Sequence, residues 1–289
     1  MFFPSIYFKR RAKSSLQDEW QIPLLVTFFA GSLSLLQELL FTVKLPDTSL
    51  LANGQMDAFL LELMSVNQPT WLLMLTVSVL NFVFTPVLIL SSNRYYLNRM
   101  LGEPTSLLEG LFSRFRYLPK ALWLYIQIFV RVFLWSLLFI IPGILAALRY
   151  CMAFYFLADD PTLSASQAIA KSKALMKKKG LKPSYVMLLI SFVGWSLLST
   201  VATDLLAQII PVVSTVVALA LQLFISTYLS ACQAAFYTIL TDETETEMVT
   251  HEIRQQLRSM GMPDSQFGPE DEETEDGESQ KDDEGDDQP

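Results

Sequence analysis

The chain contains one histidine, His251, and two cysteines in 289 residues. A histidine-based triad or zinc site in the main body is excluded, because residues 1–250 contain no imidazole side chain. Cys151 and Cys232 both fall in apolar runs and form no CxxC pattern, so neither a disulfide framework nor a thiolate metal site is expected. A glycine-rich phosphate-binding loop is also missing from the sequence.

Charged side chains are scarce as well, whereas long apolar runs are abundant. Charged residues make up 17% of the chain and apolar residues 52%, against about 25% charged residues in soluble domains. A helix of about 20 apolar residues crosses the ~30 Å hydrocarbon core of a bilayer. The apolar runs are 22–43, 69–91, 121–158, 184–206 and 209–240. The sequence therefore predicts an all-α, polytopic transmembrane helical bundle.

The longest run, 121–158, would measure ~57 Å as one helix, which is too long for a single crossing. Pro142-Gly143 lies near its middle, and proline lacks the N–H that a helix interior needs. We therefore predict a hairpin with its turn at Pro142-Gly143, although the apolar pattern alone leaves one crossing or two open. The predicted spans are about 22–43, 69–91, 121–141, 144–158, 184–206 and 211–240.

The positive charges favour six spans over five. With six spans, 18 of the 21 lysine and arginine residues fall on one side of the membrane. The exceptions are Lys44, in the outer loop, and Arg131 and Arg149, within spans. Because loops rich in lysine and arginine resist translocation, both termini are predicted to be cytoplasmic.

The C-terminal segment has a different composition from the rest. Residues 1–241 carry 18 basic and 11 acidic residues, whereas residues 242–289 carry 3 basic and 18 acidic ones. We expect the first segment to be the membrane domain and the second a cytoplasmic acidic tail, which opens with a short charged helix at 243–260. From about residue 262 the tail has too few apolar residues to offset the entropy of ordering, so disorder is predicted. Its charge also repels nucleic acid, which is not expected as a partner.

Two amphipathic helices are predicted on the cytoplasmic side. One, at 5–20, combines apolar contacts with a basic cluster. The other, at 160–180, has a lysine-rich face, with Asp160 as its N-cap and Pro161 in its first turn. Its weakly apolar face consists of Leu163, Ala165, Ala168, Ile169, Ser172, Leu175 and Met176. Both helices offer lysine to anionic lipids of the inner leaflet, although a solvated loop that only sets the orientation would have the same pattern.

Arg131 and Arg149 are the candidate ligand-binding residues, because a charge within a span is costly and often functional. They lie on opposite arms of the predicted hairpin. Glu38 in the first span and Asp204 in the fifth lie at a depth similar to that of Arg149, so either carboxylate could neutralise an arginine. Two interpretations stay open. One is a pocket for an anion or a lipid phosphate, and the other is a buried ion network that holds the helices together.

A stripe of small and polar side chains recurs every four residues along the last predicted span. Its members are Ser214, Ala218, Gln222, Ser226 and Ser230. Helical spacing places them along one face. Such a face allows close packing against another helix, and it can also line a hydrated path. Close packing is the simpler interpretation.

Short motifs along the chain agree with those of a known family. They include Trp135-Ser136, Ile141-Pro142-Gly143-Ile144, Leu157-Ala158-Asp159, Ser191-Phe192, Gly194-Trp195 and Phe236-Tyr237, with Lys9, Arg11-Ala12-Lys13, Leu16 and Trp20 near the N-terminus. In these residues the chain resembles the bacterial integral membrane proteins grouped as domain of unknown function 975. It departs from the family at Lys177-Lys178-Lys179, where Gly-His-Lys is usual, and at Pro211-Val212, where Pro-Tyr is usual. The resemblance implies a multi-pass protein of the bacterial plasma membrane and no particular activity.

The functional prediction is accordingly broad. We expect a non-catalytic partner or regulator in the cell envelope, with membrane lipids and other membrane proteins as partners. The alternative is a transporter or lipid-handling protein with an anion site near Arg131 and Arg149. Paired buried acids and a nucleophile motif are missing from the sequence, so no enzyme activity, catalytic residue, cofactor or metal site is expected. These patterns do not determine the oligomeric state.

Overall fold

The computed structural model gives the fold of most of the chain. The residues that it describes are 4–17, 19–40, 54–67, 71–103, 105–177 and 181–259. Across these ranges the regular structure is helical throughout, and they contain no β-strand. The tail from residue 262, for which disorder is predicted, lies outside the described residues.

The described ranges form twelve α-helices. They are α1 (Ser5–Leu16), α2 (Gln21–Leu40), α3 (Met56–Asn67), α4 (Trp71–Met100), α5 (Leu107–Phe112), α6 (Leu118–Leu138), α7 (Ile140–Tyr150), α8 (Ala153–Asp159), α9 (Ala165–Lys177), α10 (Leu181–Ala207), α11 (Pro211–Thr241) and α12 (Glu243–Ser259). A 3-10 turn, Phe115–Tyr117, leads into α6. Pro211 is the first residue of α11, where a backbone N–H would have no acceptor within the helix.

Within the described ranges, five helical stretches are long and apolar enough to cross a membrane, and α2 with α1 raises the number to six. The five are Leu72–Met100, Leu107–Leu138, Ile140–Asp159, Lys182–Ala207 and Val212–Thr241. The predicted all-α membrane bundle is therefore confirmed. Arg10 of α1 and Glu252 of α12 form an ion pair of 2.9 Å, so the two terminal helices lie at the same end of the bundle.

The hairpin turn lies at Phe139, and its predicted position at Pro142-Gly143 is wrong. Phe139 has an extended backbone, with φ −158° and ψ 152°, between α6 and α7. Pro142 instead stands in the first turn of α7, where a missing N–H is tolerated. Gly143 is needed for close contact, because a Cβ atom there would lie 2.1 Å from Ser136 Oγ and 2.9 Å from Ser136 Cα. The Pro-Gly pair therefore allows α6 and α7 to pack closely, and it does not form the turn of the hairpin.

Burial divides the long helices into two sections. In α11, Val216 is 63% exposed, whereas Ala235 and Phe236 are fully buried. In α4 the change comes near Val87, and in α10 it comes after Phe192. We call the buried sections of the long helices, together with α1, α5, α8, α9 and α12, the basic end. We call the exposed sections of the long helices the apolar section. The hydrophobic core thus lies at the basic end, while the apolar section exposes its side chains as lipid-facing helices do.

The predicted amphipathic helix is present as α9, and its predicted apolar face is confirmed. Leu163 is partly buried, and the other six residues of that face are buried. The face packs against α6, α7, α8 and α10. Ser172 serves the break between α7 and α8, because its hydroxyl accepts from Met152 N–H at 3.2 Å and donates to Arg149 O at 2.9 Å. α9 is therefore a structural element of the bundle.

The predicted N-cap of this helix, Asp160, is wrong, since α9 begins later. Ser164 Oγ accepts from Gln167 N–H at 3.3 Å, and Gln167 Oε1 accepts from Ser164 N–H at 2.8 Å. This reciprocal pair is a capping box. Asp160 instead closes the preceding turn by accepting from the hydroxyl and N–H of Thr162, and these bonds lower the pKa of its carboxyl group. Ser106 is the N-cap of α5, where its Oγ accepts from Glu109 N–H at 3.3 Å.

Helix α1 packs across the basic end at 107° to α2. Phe8, Ala12 and Leu16 recur every four residues and are fully buried. The Phe8 and Phe236 ring centroids are 4.9 Å apart, which places α1 against α11. The predicted interfacial helix is thus docked on protein along one face, while its other face carries Arg10 and Lys13, both exposed.

Substituting Ser172→Ala tests the role of α9. We expect a loss of about 1–3 kcal/mol in the free energy of unfolding, because two buried backbone groups lose their hydrogen-bond partner. Thermal and denaturant unfolding in a mild detergent measure this loss. The matched control is Ser166→Ala on the exposed side of the same helix, with an expected change within about 0.5 kcal/mol. Equal effects of the two substitutions would show that α9 does not support the helix break.

Candidate functional site

A lateral groove lies between α2, α4 and α11, with a volume of about 820 Å³. Leu35 and Leu223 contribute apolar walls. Gly31 leaves space on the α2 side, because a Cβ atom there would meet nothing within 4 Å. Phe28 and Leu219 also line the groove and are 43% and 44% exposed, so it opens towards the bilayer. The groove therefore has room for an elongated apolar body.

Part of the predicted stripe lines this groove, where Gln222, Ser226 and Ser230 all contribute. The two serine hydroxyls donate to carbonyl groups of their own helix, at 3.0 Å and 2.9 Å. Gln222 is exposed, and its amide oxygen accepts from Ser196 Oγ at 3.5 Å, the outer limit of a hydrogen bond. Gln222 is thus a polar group near the middle of a spanning helix with little internal stabilisation.

A polar network lies next to the groove at the basic end. Tyr155 OH donates to Ser230 O at 3.4 Å and lies 3.5 Å from Gln233 Oε1. Gln233 Nε2 donates to Tyr185 OH at 2.9 Å. The amide of Gln233 therefore joins α8, α10 and α11. Because these groups satisfy one another, the network acts as a structural support for the groove.

A separate polar cavity of about 890 Å³ lies at the basic end between α1, α5 and the end of α4. Arg99 extends along it, paired with Glu19 at 3.2 Å and donating to Ser15 O at 2.9 Å. Glu103 and Glu109 also line the cavity. Arg11 is a second cation in the lining, so the cavity has two arginines beside three carboxylates of the same chain. Within the described residues, no three His, Cys, Asp or Glu side chains cluster as a metal site would require.

The four charged residues predicted as an anion site or ion network form no ion pair among the described side chains. Arg131 Nη1 donates to the carbonyl and the side-chain oxygen of Gln127, one turn away, at 3.0 and 3.1 Å. Arg149 lies at the α7–α8 break, and Asp204 is exposed on α10. The Glu38 side chain lies outside the described residues. The role of Arg131 and Arg149 in anion binding stays a prediction.

The remaining stripe residues do not line the groove. Ser214 is buried, and Ala218 is partly buried. Sequence reasoning missed the groove itself, because three helices distant in the chain form it. It also missed the contact that Lys9 makes with α10, described below. The spacing of Phe8, Ala12 and Leu16 is the signal that indicates a docked α1.

The two glutamines of α11 provide a matched pair of substitutions. Gln233→Leu should lower the free energy of unfolding by about 1–3 kcal/mol, because buried tyrosine hydroxyls lose their partner. Gln222→Leu should leave stability unchanged or raise it, since leucine suits a lipid-facing position better than an amide. Unfolding of both variants in the same detergent provides the comparison. A larger loss for Gln222→Leu would contradict the assignment of Gln222 to a binding surface and Gln233 to the fold.

Comparison with known proteins gives a family match for part of the chain. Residues 124–244 match the family described as protein of unknown function (DUF975). The match begins in α6 and ends in α12, so it includes α7 to α11, while Lys9 to Trp20 lie outside it. No curated protein and no solved structure matches the chain. The resemblance is therefore confirmed over residues 124–244, the part of this helical membrane protein that matches a family of unknown function.

Proposed function

We propose that the protein is a non-catalytic partner or regulator of other membrane proteins in the bacterial plasma membrane. In this proposal it holds a transmembrane helix of its partner in the lateral groove between α2, α4 and α11. The observation that carries the proposal is the exposed amide of Gln222 near the middle of a spanning helix, inside a groove whose other polar side chains are hydroxyl groups.

The polar groups of the groove favour a protein partner over hydrocarbon. An amide without a hydrogen-bond partner costs free energy in an apolar medium. Lipid chains offer neither donors nor acceptors, whereas a partner helix supplies side chains that bond an amide. Among the described residues, Gln222 accepts a single 3.5 Å contact from Ser196, so its amide N–H groups are suited to bonding across the groove.

The small residues of the groove favour a helix for a second reason. Transmembrane helices associate through small side chains that allow the backbones to approach closely. Ala30 and Gly31 on α2 and Ala220 and Ser226 on α11 line the two sides of the groove. A helix that enters between them packs against both backbones. The partner helix should accordingly have its own small or polar residues on the face that it presents.

The distribution of charge supports a cytoplasmic location for both termini. The basic end carries Arg94, Arg99, Arg114 and Lys120, which bond to neighbouring helices and loops there. The apolar section carries Arg131 as its main basic residue. The bias of lysine and arginine towards one end of the bundle is the pattern that fixes orientation in the plasma membrane.

The alternative, a transporter or lipid-handling protein with its site at Arg131 and Arg149, has less support. Neither arginine is among the described residues that line the lateral groove or the polar cavity at the basic end. Neither lines the smaller pocket at Lys9 and Tyr228, which is described below. Arg131 still lacks a carboxylate among the described residues, and this observation keeps an anion ligand as the second candidate.

Substituting Gly31→Leu tests the groove directly. Because the added side chain enters open space, the protein should fold normally while the groove is filled. A photoreactive residue at Gln222 should form a protein adduct of defined mass in native membranes, and Gly31→Leu should abolish it. The same photoreactive residue at Val216, which is exposed outside the groove, should form no such adduct.

The matched control for the added leucine is Gly194→Leu on α10, where a Cβ atom also meets nothing within 4 Å. This variant should keep the adduct from Gln222. Adducts of equal yield from Gln222 and Val216, or an adduct that survives Gly31→Leu, would contradict the proposed partner site. Thermal unfolding of both glycine variants establishes that each is folded.

A further inference from the structure

A third cavity, a pocket of about 390 Å³, lies where α1 crosses α10 and α11. Its walls are largely aromatic: Trp20 packs against Phe224 at 5.9 Å between ring centroids, and Phe192 packs against Tyr228 at 5.6 Å. Trp195, one turn along α10 from Ser191, continues the wall and is 61% exposed. The pocket thus begins beneath α1 and runs out onto the lipid-facing surface of α10.

One cation, Lys9, stands at the inner end of this pocket. Its Nζ donates to Ser191 Oγ at 2.6 Å and lies 5.7 Å from the centroid of the Phe192 ring. Tyr228 OH donates to the Lys9 carbonyl at 3.1 Å, which fixes the backbone of α1 at this point. Lys9 is half-buried and forms no ion pair with any described residue, whereas the adjacent Arg10 pairs with Glu252. The ammonium group is therefore positioned by neutral groups and has no anionic partner among the residues that the structure describes.

The position of Lys9 along the bundle indicates the source of that anion. The pocket lies at the boundary between the two sections, because the inward face of α10 is buried at Leu188 (0% exposed) and Phe192 (6%) and opens at Trp195, which is 61% exposed. At such a boundary a spanning helix passes from hydrocarbon into the headgroup layer, where tryptophan and lysine are enriched. Phospholipid phosphates lie at this depth in a bilayer, directly above the acyl chains.

We propose that this pocket binds one anionic phospholipid, with its phosphate on the ammonium group of Lys9 and an acyl chain along Trp195 and Phe224. A phosphate oxygen accepts a charge-assisted hydrogen bond from Lys9 Nζ, and such bonds are stronger than neutral ones. The aromatic walls of the pocket cover the first part of the acyl chain. The site lies on a different face of α11 from Gln222 and Ser226, so it is independent of the partner groove.

Lipid binding to the purified full-length protein tests this site. Native mass spectrometry in a mild detergent gives the dissociation constant of dioleoyl phosphatidylglycerol for each variant. Lys9→Gln should weaken binding about tenfold, because the charged donor is lost. The control is Lys13→Gln, which removes the same charge from the exposed side of α1 and should change binding less than about twofold. Equal effects would overturn the proposal, because they would indicate diffuse attraction to a basic surface.

A second pair of variants tests the acyl-chain wall without touching the charge. Trp195→Ala should weaken binding about fivefold through lost apolar contact, and it should fold because Trp195 is largely exposed. Trp123→Ala, at an exposed tryptophan of α6, should have no effect. If Lys9→Gln fails to fold, this pair decides the outcome, and equal binding by the two tryptophan variants then overturns the proposal.

Inorganic phosphate distinguishes a lipid site from a site for a free anion. Millimolar inorganic phosphate should not displace dioleoyl phosphatidylglycerol, because it lacks the chain that contacts Trp195. Dioleoyl phosphatidylcholine should bind more weakly than phosphatidylglycerol, since its choline group cancels the net charge of the phosphate. Displacement of the lipid by phosphate, or equal affinity for the two lipids, would overturn an anionic-lipid site at Lys9.

Discussion

The structure depends on the packing of amphipathic helices against the basic end of α11. Ala231, Ala234 and Ala235 provide a small-residue surface there, and α1 packs onto it through Phe8. Hydrocarbon cannot hydrogen-bond backbone groups, so irregular backbone survives at membrane depth only where protein supplies the missing bonds. The α7–α8 break fulfils this condition, because Ser172 bonds both Met152 N–H and Arg149 O. The irregular connections at 101–103, 105–106, 113–114 and 160–164 also lie at the packed end.

The division of the long helices into a packed basic end and an exposed apolar section explains where the binding surfaces lie. At the basic end, aromatic rings pack against one another and carboxylates pair with arginines, and the cavity there is lined by charged groups of both signs. In the apolar section the long helices separate, and the lateral groove and the Lys9 pocket begin where the packing ends. Both sites face the bilayer, so the partner helix and the phospholipid that we propose as their ligands are both membrane components. This arrangement suits a protein that works by holding other molecules in the plane of the membrane.

The sequence predicted those structural features that depend on residues close to one another along the chain. Helical spacing identified the buried face of α9, and the long apolar run indicated two crossings between residues 121 and 158. It misplaced the turn at Pro142-Gly143, because proline is as acceptable in the first turn of a helix as in a loop. It also chose Asp160 as a cap over Ser164, since both are good capping residues and only the starting point of the helix separates them. The groove and the Lys9 pocket depend on contacts between distant helices, such as Lys9 with Ser191, and no local pattern encodes them.

Carbene footprinting of the unmodified protein in lipid nanodiscs tests the division of α11 most directly. A lipid-soluble diazirine should label residues 212–225 and leave residues 231–240 unlabelled, because the first segment faces lipid and the second is enclosed by other helices. Both segments are strongly apolar, so composition alone predicts equal labelling. Peptide mass spectrometry gives the yield for each segment. Comparable labelling of 231–240 and 212–225 would contradict a protein-packed basic end.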